Sequence, residues 1–329
     1  MKKVVITGFS GFVSSHFLDY LYENHPEYEV YGMSLETPRF NYEKYNDKMQ
    51  VHFFKLDLMD NNRLHDLLYE IKPDYVLHLA AFSSVAYSWQ FPEESFINNC
   101  NIFLNLMDTI RSVSPKCRIL SVGSSEEYGN VLHEKIPIRE EQPLNPQSPY
   151  AVARVSQELL SKVYVDAFNM QIIMTRSFNH IGPRQDDRFV IPSFIKRILE
   201  IKSNGLSEGE IETGDLSIIR DFVDVRDVVE AYYLLLINGI PGEVYNVCSG
   251  EGLVLSDIVD IIADEVGVTV TTKQNSSLVR PSDNPEIIGS PHKIENELGW
   301  TRKWKFKDTI REMVSFYQNG YEENSDHRC

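Results

Sequence analysis

Cysteine is scarce in this chain. Cys100, Cys117, Cys248 and Cys329 are scattered through 329 residues without a CxxC or Cys/His spacing, so neither a zinc site nor a disulfide framework is expected, and no metal is assigned. Long apolar runs are also missing. The longest, around Val228 to Ile237, is too short to span a bilayer. Met1-Lys2-Lys3 leads directly into a strand pattern without the apolar segment and small-residue cleavage site of a secretory signal, and a cytoplasmic location off the membrane is expected. Positive charge is in deficit, with 32 Lys and Arg against 48 Asp and Glu and a formal charge of -16. Such a surface repels phosphate backbones and anionic lipid, which argues against nucleic acid or membrane as partners. Any phosphate it binds must meet a local basic pocket. There is no internal repeat and no low-complexity tract.

What is present suits a large folded core: 42% of residues are hydrophobic and 24% charged. Short apolar runs at Val4 to Ile6, Val30 to Met33, Val51 to Leu56, Tyr75 to Leu79, Arg118 to Val122 and Gln171 to Thr175 read as buried strands. Helical patterns fall between several of them, including Asn61 to Ile71, Glu93 to Val113 and Pro149 to Ala167. Near-continuous apolar strands alternating with helices predict an α/β fold, a Rossmann-type doubly wound parallel sheet covered on both faces. After about residue 178 loops lengthen and the rhythm changes. The expected division is a Rossmann-type domain over 1–178, rejoined by about 219–248, and a smaller lobe over 179–218 and 249–320 that walls a cleft. Residues 321–329 read as a frayed tail.

Gly8-Phe9-Ser10-Gly11-Phe12-Val13-Ser14 lies between the first strand and the first helix. A tight turn there brings backbone N–H groups and the helix dipole onto a pyrophosphate, although a glycine pair at such a place also serves as a plain turn. Asp57-Leu58 and Leu79-Ala80-Ala81 end two further strands, where a dinucleotide crosses the carboxyl edge or where caps and packing residues commonly sit. Ser124, Ser125 and Glu126 end another strand, and Tyr150 and Arg154 are four apart on one helix face. A phenol beside a positive charge can exchange a proton with a hydroxyl or carbonyl. The plainer reading is a packed Tyr and a surface Arg.

In order and spacing, TGFSGF, KLDLMD, HLAAFSS, GSSEEYG, SPYAVAR, RSFNHIGP, RDFVDVRDV, YNVCSG and RPSDNPEIIGS resemble the extended short-chain dehydrogenase/reductases that modify nucleotide sugars, over residues 3 to about 316. Within them GSSEEYG, FNHIGP, RDFVDVRDV and YNVCSG are similar to the reductases of GDP-linked 4-keto-6-deoxy sugars. The Arg39-Phe40-Asn41 loop and SPYAVA look more like the GDP-mannose 4,6-dehydratases. The resemblance implies a catalytic set of Ser124, Glu126, Tyr150 and Arg154. Tyr150 is its acid/base, Ser124 meets the sugar oxygen at C4, and Glu126 matches the dehydratases' base. Arg154 stands where the family has Lys; it keeps the charge but does not readily release a proton.

By the same resemblance Gly8, Ser10, Gly11, Phe12, Val13, Glu36, Asp57, Leu58, Leu79, Ala80, Ala81 and Asn99, with Tyr150 and Arg154, meet the cofactor. Ser83, Ser125, Asn179, Val190, Lys196, Arg220 and Arg280 meet a GDP-sugar. Glu36 would repel a 2′-phosphate, favouring NAD(H), while Arg39 nearby leaves NADP(H) open. The helices beginning near Glu93 and Pro149 imply a homodimer, and the Arg39 loop leaves a tetramer open. The implied activity is C4-keto reduction. A 4,6-dehydratase with bound NAD(P)+ and Glu126 as the C5 base, a C4 dehydrogenase or epimerase, and a non-catalytic binder are the alternatives.

Overall fold

The computed structural model describes residues 1–278 and 284–325; Arg280 lies outside them. The strands are β1 (Lys2–Thr7), β2 (Tyr28–Ser34), β3 (Gln50–Lys55), β4 (Tyr75–His78), β5 (Arg118–Ser124), β6 (Gln171–Ser177), β7 (Asn179–Ile181), β8 (Glu208–Thr213), β9 (Ile219–Asp224), β10 (Val244–Val247), β11 (Gly252–Val254), β12 (Thr269–Gln274) and β13 (Glu286–Ile287). Seven of them form one parallel sheet in the order β10-β6-β5-β4-β1-β2-β3. The chain therefore builds outward from β1 in one direction through β2 and β3, and from β4 in the other. Strand order reverses between β1 and β4, and the carboxyl ends on either side of such a reversal open a crevice.

Helices α1 (Phe12–Asn24), α2 (Asn61–Ile71), α3 (Val85–Gln90), α4 (Pro92–Val113), α5 (Pro149–Phe168), α6 (Val190–Ser203) and α7 (Val225–Asn238) follow the strands. Their ends are written locally. Asp60 caps α2 by accepting from Arg63 N at 3.2 Å, and Ser148 caps α5 by accepting from Ala151 N at 3.1 Å with Pro149 in the first turn. Alternation along β1 divides the core. Val4 and Ile6 pack with Phe17, Leu18 and Leu21 of α1 and Tyr232 and Leu235 of α7. Val5 faces the opposite layer, with Leu64 and Leu68 of α2 and Phe103, Leu106 and Ile110 of α4.

A third core lies in the smaller lobe, where α6 and the helices Leu255–Val266 and Phe306–Ser325 pack through Phe194, Ile198, Ile258, Ile262 and Met313. Here the structure corrects one sequence expectation. Residues 244–247 rejoin the main sheet as β10, but the stretch around Arg220 to Val225 does not: β9 pairs with β7, β11 and β13 in a separate small sheet. The main sheet takes β10 beside β6, so β9 finds its partners at the lobe boundary and delivers α7 to the sheet's face. The last helix also continues to Ser325, past the point where fraying was expected; residues 326–329 lie outside the description. Among the described residues no helix is long and apolar enough to cross a membrane.

Candidate active site

The crevice between β1 and β4 is floored by a turn that only glycine can make. Gly8 has φ +70°, and a Cβ there would stand 2.8 Å from Ala80 N; one at Gly11 would meet Gly8 O at 3.1 Å. Gly11 N donates to Gly8 O at 3.0 Å and closes the loop. Gly11 is also the N-cap of α1 and offers no side-chain acceptor, so the first-turn N–H groups around Phe12 and Val13 remain available at the positive end of the helix. Phe9 points away from the crevice into a cluster with Phe40, Tyr42 and Phe53, against Gly32, where any Cβ would lie 2.2 Å from its ring. Ser10 Oγ and Ser34 Oγ are 2.7 Å apart, tying the loop to the end of β2, and Glu36 is exposed just beyond. Buried Ser14 follows the glycine pair in the first turn of α1. These features fit a dinucleotide pyrophosphate: a bare backbone cradle at a helix N-terminus that side chains would fill.

Around the cradle, Ala80 N donates to Thr7 Oγ1 at 3.3 Å, and Thr7 Oγ1 lies 2.8 Å from His78 Nδ1. Burial, and then the Arg154 charge, lower the pKa of His78 to about 3, which leaves it neutral. Leu79, Ala80 and Ala81 are half-buried along the crevice and Leu58 is buried. Asp57 is exposed, and its Oδ1 accepts from Met59 N at 2.9 Å, closing its own turn. Asn99 is spent on the backbone: its Oδ1 accepts from Phe82 N at 2.8 Å and its Nδ2 donates to Phe82 O at 3.2 Å, which fixes the segment after β4. Met59, Phe82, Ile97 and Asn98 line an open recess beside it.

Tyr150 sits in the first turn of α5 and Arg154 one turn on, so both face the end of β5. Only 6% of Tyr150 and 5% of Arg154 is exposed. Arg154 Nε donates to the Tyr150 phenol oxygen at 3.1 Å, and the guanidinium carbon lies 5.2 Å from the Tyr150 ring centroid. At the strand end Ser124 and Glu127 form a capping box. Ser124 Oγ accepts from Glu126 N at 3.2 Å, and Glu127 Oε1 accepts from Ser124 N at 2.7 Å. The hydroxyl proton of Ser124 stays available, and the turn sets Glu126 beside it.

Glu127 itself was not expected at the site. It is fully buried, and its Oε2 has no hydrogen-bond partner. Burial, and then the charge of Glu158, push its pKa up to about 8. Burial opposes ionisation of Glu158 as well, but Arg176 grips that carboxylate through Nε at 2.8 Å and Nη2 at 2.9 Å and brings its pKa below the usual range. The proton of the pair therefore resides on Glu127. A carboxyl raised on folding contributes stability in full below its unfolded value of 4.5 and loses it as pH rises through about 8. Glu127→Gln, which keeps the acceptor for Ser124 N, is expected to remove that decline. Melting temperatures of the two proteins followed across this range should diverge as pH rises, with the variant the higher; parallel curves would refute the assignment.

The substrate-side candidates fall in several places. Ser125 is buried, and Ser83 is exposed just before the cap of α3. Asn179 Nδ2 donates to Asp221 O at 3.3 Å, next to Arg220, whose Nη1 donates to Ile219 O at 2.9 Å and Asn284 O at 2.7 Å. Val190 opens α6, and Lys196 on the same helix pairs with Asp187 at 2.6 Å. Sequence reasoning also missed Asp221. Its buried carboxylate accepts from Ser249 N, Ser249 Oγ, Gly250 N and Gly289 N, tying two loops to β9 at one point. Among the described residues no three His, Cys, Asp or Glu side chains are grouped to hold a metal.

A parallel sheet reversing at a glycine cradle, with a phenol and a cation on the helix beside it, defines a Rossmann-type fold of the extended short-chain dehydrogenase/reductase class. More narrowly, the chain belongs to the GDP-mannose 4,6 dehydratase family, whose model matches residues 5–313. It is 31% identical to the GDP-6-deoxy-D-mannose reductase of Pseudomonas aeruginosa, over 97% of this chain and 98% of that one. It is 28% identical to the GDP-mannose 4,6-dehydratase of Yersinia enterocolitica, over 96% and 93%. The solved structure of RMD from Pseudomonas aeruginosa complexed with NADPH superposes with a TM-score of 0.83 at 30% identity, covering 97% of this chain and 98% of that one.

Proposed function

We propose that the chain reduces the C4 keto group of a GDP-linked 4-keto-6-deoxy sugar, with Tyr150 donating the proton. One observation carries this reading: a permanent cation, Arg154 Nε, held 3.1 Å from the phenol oxygen in a buried site. Bound NAD(P)H supplies the hydride that the protein cannot. The turn from Gly8 to Val13 and the N-terminus of α1 hold the pyrophosphate, and the segment Leu79 to Ala81 gives the dinucleotide a flat apolar floor. Ser124 donates a hydrogen bond through its hydroxyl to the sugar oxygen at C4. Tyr150 releases its proton to the same oxygen as negative charge develops there. Arg154 stabilises the phenolate left behind and retains its own protons, so Tyr150 is recharged from solvent rather than through residue 154. Exposed Glu36 beyond β2 favours NADH over NADPH through repulsion of a 2′-phosphate.

The crevice between the main sheet and the smaller lobe takes the nucleotide sugar, with Asn179, Arg220 and Lys196 toward the diphosphate and Ser83, Ser125 and Val190 toward the sugar. Val152, Leu159 and Val163 form an exposed apolar stripe on α5, with Phe96 exposed on the adjoining α4, and this surface suits a homodimer.

Glu126 favours one alternative, a 4,6-dehydratase in which its carboxylate removes the C5 proton, because its backbone N–H is held at Ser124 Oγ and keeps the residue in the turn at the strand end. Incubation with GDP-mannose, and separately with its 4-keto-6-deoxy product plus NADH or NADPH, separates the readings. The proposal expects consumption of reduced cofactor with the keto sugar and no keto sugar from GDP-mannose. Glu126→Gln should leave keto reduction within about threefold, whereas loss of an essential general base would lower turnover roughly a hundredfold or more.

A further inference from the structure

Gln157 is buried on α5, one turn beyond Arg154, and takes no part in the chemistry just described. Its Oε1 accepts from Arg154 Nη1 at 2.8 Å, while its Nε2 donates to Ser121 Oγ at 2.8 Å and Val122 O at 3.2 Å. Arg154 can only donate, so the carbonyl end of the amide must face it, and the amide orientation is set by chemistry. Val122 O accepts from Arg154 Nη1 at 3.0 Å as well. That carbonyl lies one residue past the last β4–β5 pair, His78↔Ser121, so β4 makes no claim on it. Ser161 Oγ donates to Gln157 O at 2.8 Å and lies 3.3 Å from Ser121 Oγ, extending the network one more turn along α5.

Arg154, Gln157 and Glu158 close around Gly123, and the gap left between them is too small to hold a water. Near it lies Glu127, whose buried Oε2 has no partner and whose carboxyl feels the Arg154 charge. Without its bonds at Nη1 the guanidinium would be held at the phenol by Nε alone, and small rotations about its side-chain bonds would lengthen that contact. We infer that Gln157 is a positioning residue, whose amide, with the Val122 carbonyl, locks the Arg154 guanidinium in the rotation that presents Nε to Tyr150. It adapts the site to an Arg: an ammonium at residue 154 would need no planar alignment and hence no amide at residue 157.

The inference rests on the proposed role of Tyr150, and its test has one arm that needs turnover and one that does not. In the first, Gln157→Met is expected to lower kcat with the keto sugar roughly tenfold to a hundredfold, the factor a charge-assisted hydrogen bond carries, and to leave KM within about twofold. Gln157→Asn, which keeps the amide but falls one methylene short, should do the same. Combining Gln157→Met with Arg154→Lys should cost no more than Arg154→Lys alone. In the second arm the phenolate absorbance of Tyr150 is taken as the difference between each protein and its Tyr150→Phe counterpart during alkaline titration. That signal should emerge at higher pH when residue 157 is Met. Multiplying losses in the double variant, or an unmoved phenolate signal in folded protein, would overturn the inference. An inactive protein whose phenolate signal still moves would instead count against the proposed reaction and leave the positioning role supported.

Discussion

Tyr150→Phe is expected to lower turnover of the keto sugar roughly a thousandfold, within the range general acid catalysis supplies, while binding of the reduced cofactor changes little. The substitution removes one oxygen. The ring remains packed in the first turn of α5, beneath the Arg154 guanidinium, so the loss falls on the proton and not on the fold. Ser124 retains its hydroxyl and can still orient the sugar oxygen, but an alcohol is too weak an acid to take over the proton transfer. Arg154 cannot substitute, since a guanidinium holds its protons at any pH at which the protein is folded. Cofactor oxidation measured at saturating sugar reports the rate, and fluorescence titration with NADH or NADPH reports the binding. A variant within about tenfold of the parent would mean that the proton comes from elsewhere.

The second large effect is expected at Gly8. Gly8→Val places a branched side chain at φ +70° with its Cβ 2.8 Å from Ala80 N, against backbone rather than a side chain that can yield. The turn must open. Strain of this kind costs on the order of 1–3 kcal/mol, and displacement of the N–H cradle adds to it, so cofactor affinity should fall roughly a hundredfold or more. The smaller lobe, which folds around its own core of Phe194, Ile198 and Ile258, should be unaffected. Calorimetric titration with NADH or NADPH against the parent protein measures the loss. Unchanged affinity in a folded Gly8→Val protein would show that the dinucleotide does not lie on this turn.

Much of this architecture was legible in the residues. Strands buried on both faces must be apolar almost throughout, and the six early runs stood out for that reason. The limits of α2 were visible too, because Asp60 supplies its cap, and α5 begins where Ser148 and Pro149 say it should. What an apolar run does not state is which sheet it will join. Val244–Val247 joins the edge of β6 in the main sheet and Ile219–Asp224 goes to the lobe boundary, a choice of partner that neither stretch states by itself.

The site was legible in the same uneven way. Tyr150 and Arg154 share a helix face by spacing alone, and their contact follows. Gln157 and Glu127 carry no such mark. One reads as a solvated helix residue and the other as a loop acid, because what they meet, Ser121 and Val122 for Gln157 and the Glu158 charge for Glu127, comes from other elements of the chain. Phe9 likewise reads as an exposed turn residue until Phe40, Tyr42 and Phe53 close over it. Asn99 was expected at the cofactor, yet both ends of its amide are committed to the Phe82 backbone, so any effect it has on binding passes through the segment after β4.

The most direct test follows an atom. NADH or NADPH carrying deuterium in the transferable position of the nicotinamide is incubated with the protein and the GDP-linked 4-keto-6-deoxy sugar, and the product is analysed by mass and by proton resonance. The account predicts a single deuterium at C4 of the sugar, with one cofactor oxidised for each alcohol formed. A sugar without label, or one labelled at any other carbon, would contradict it.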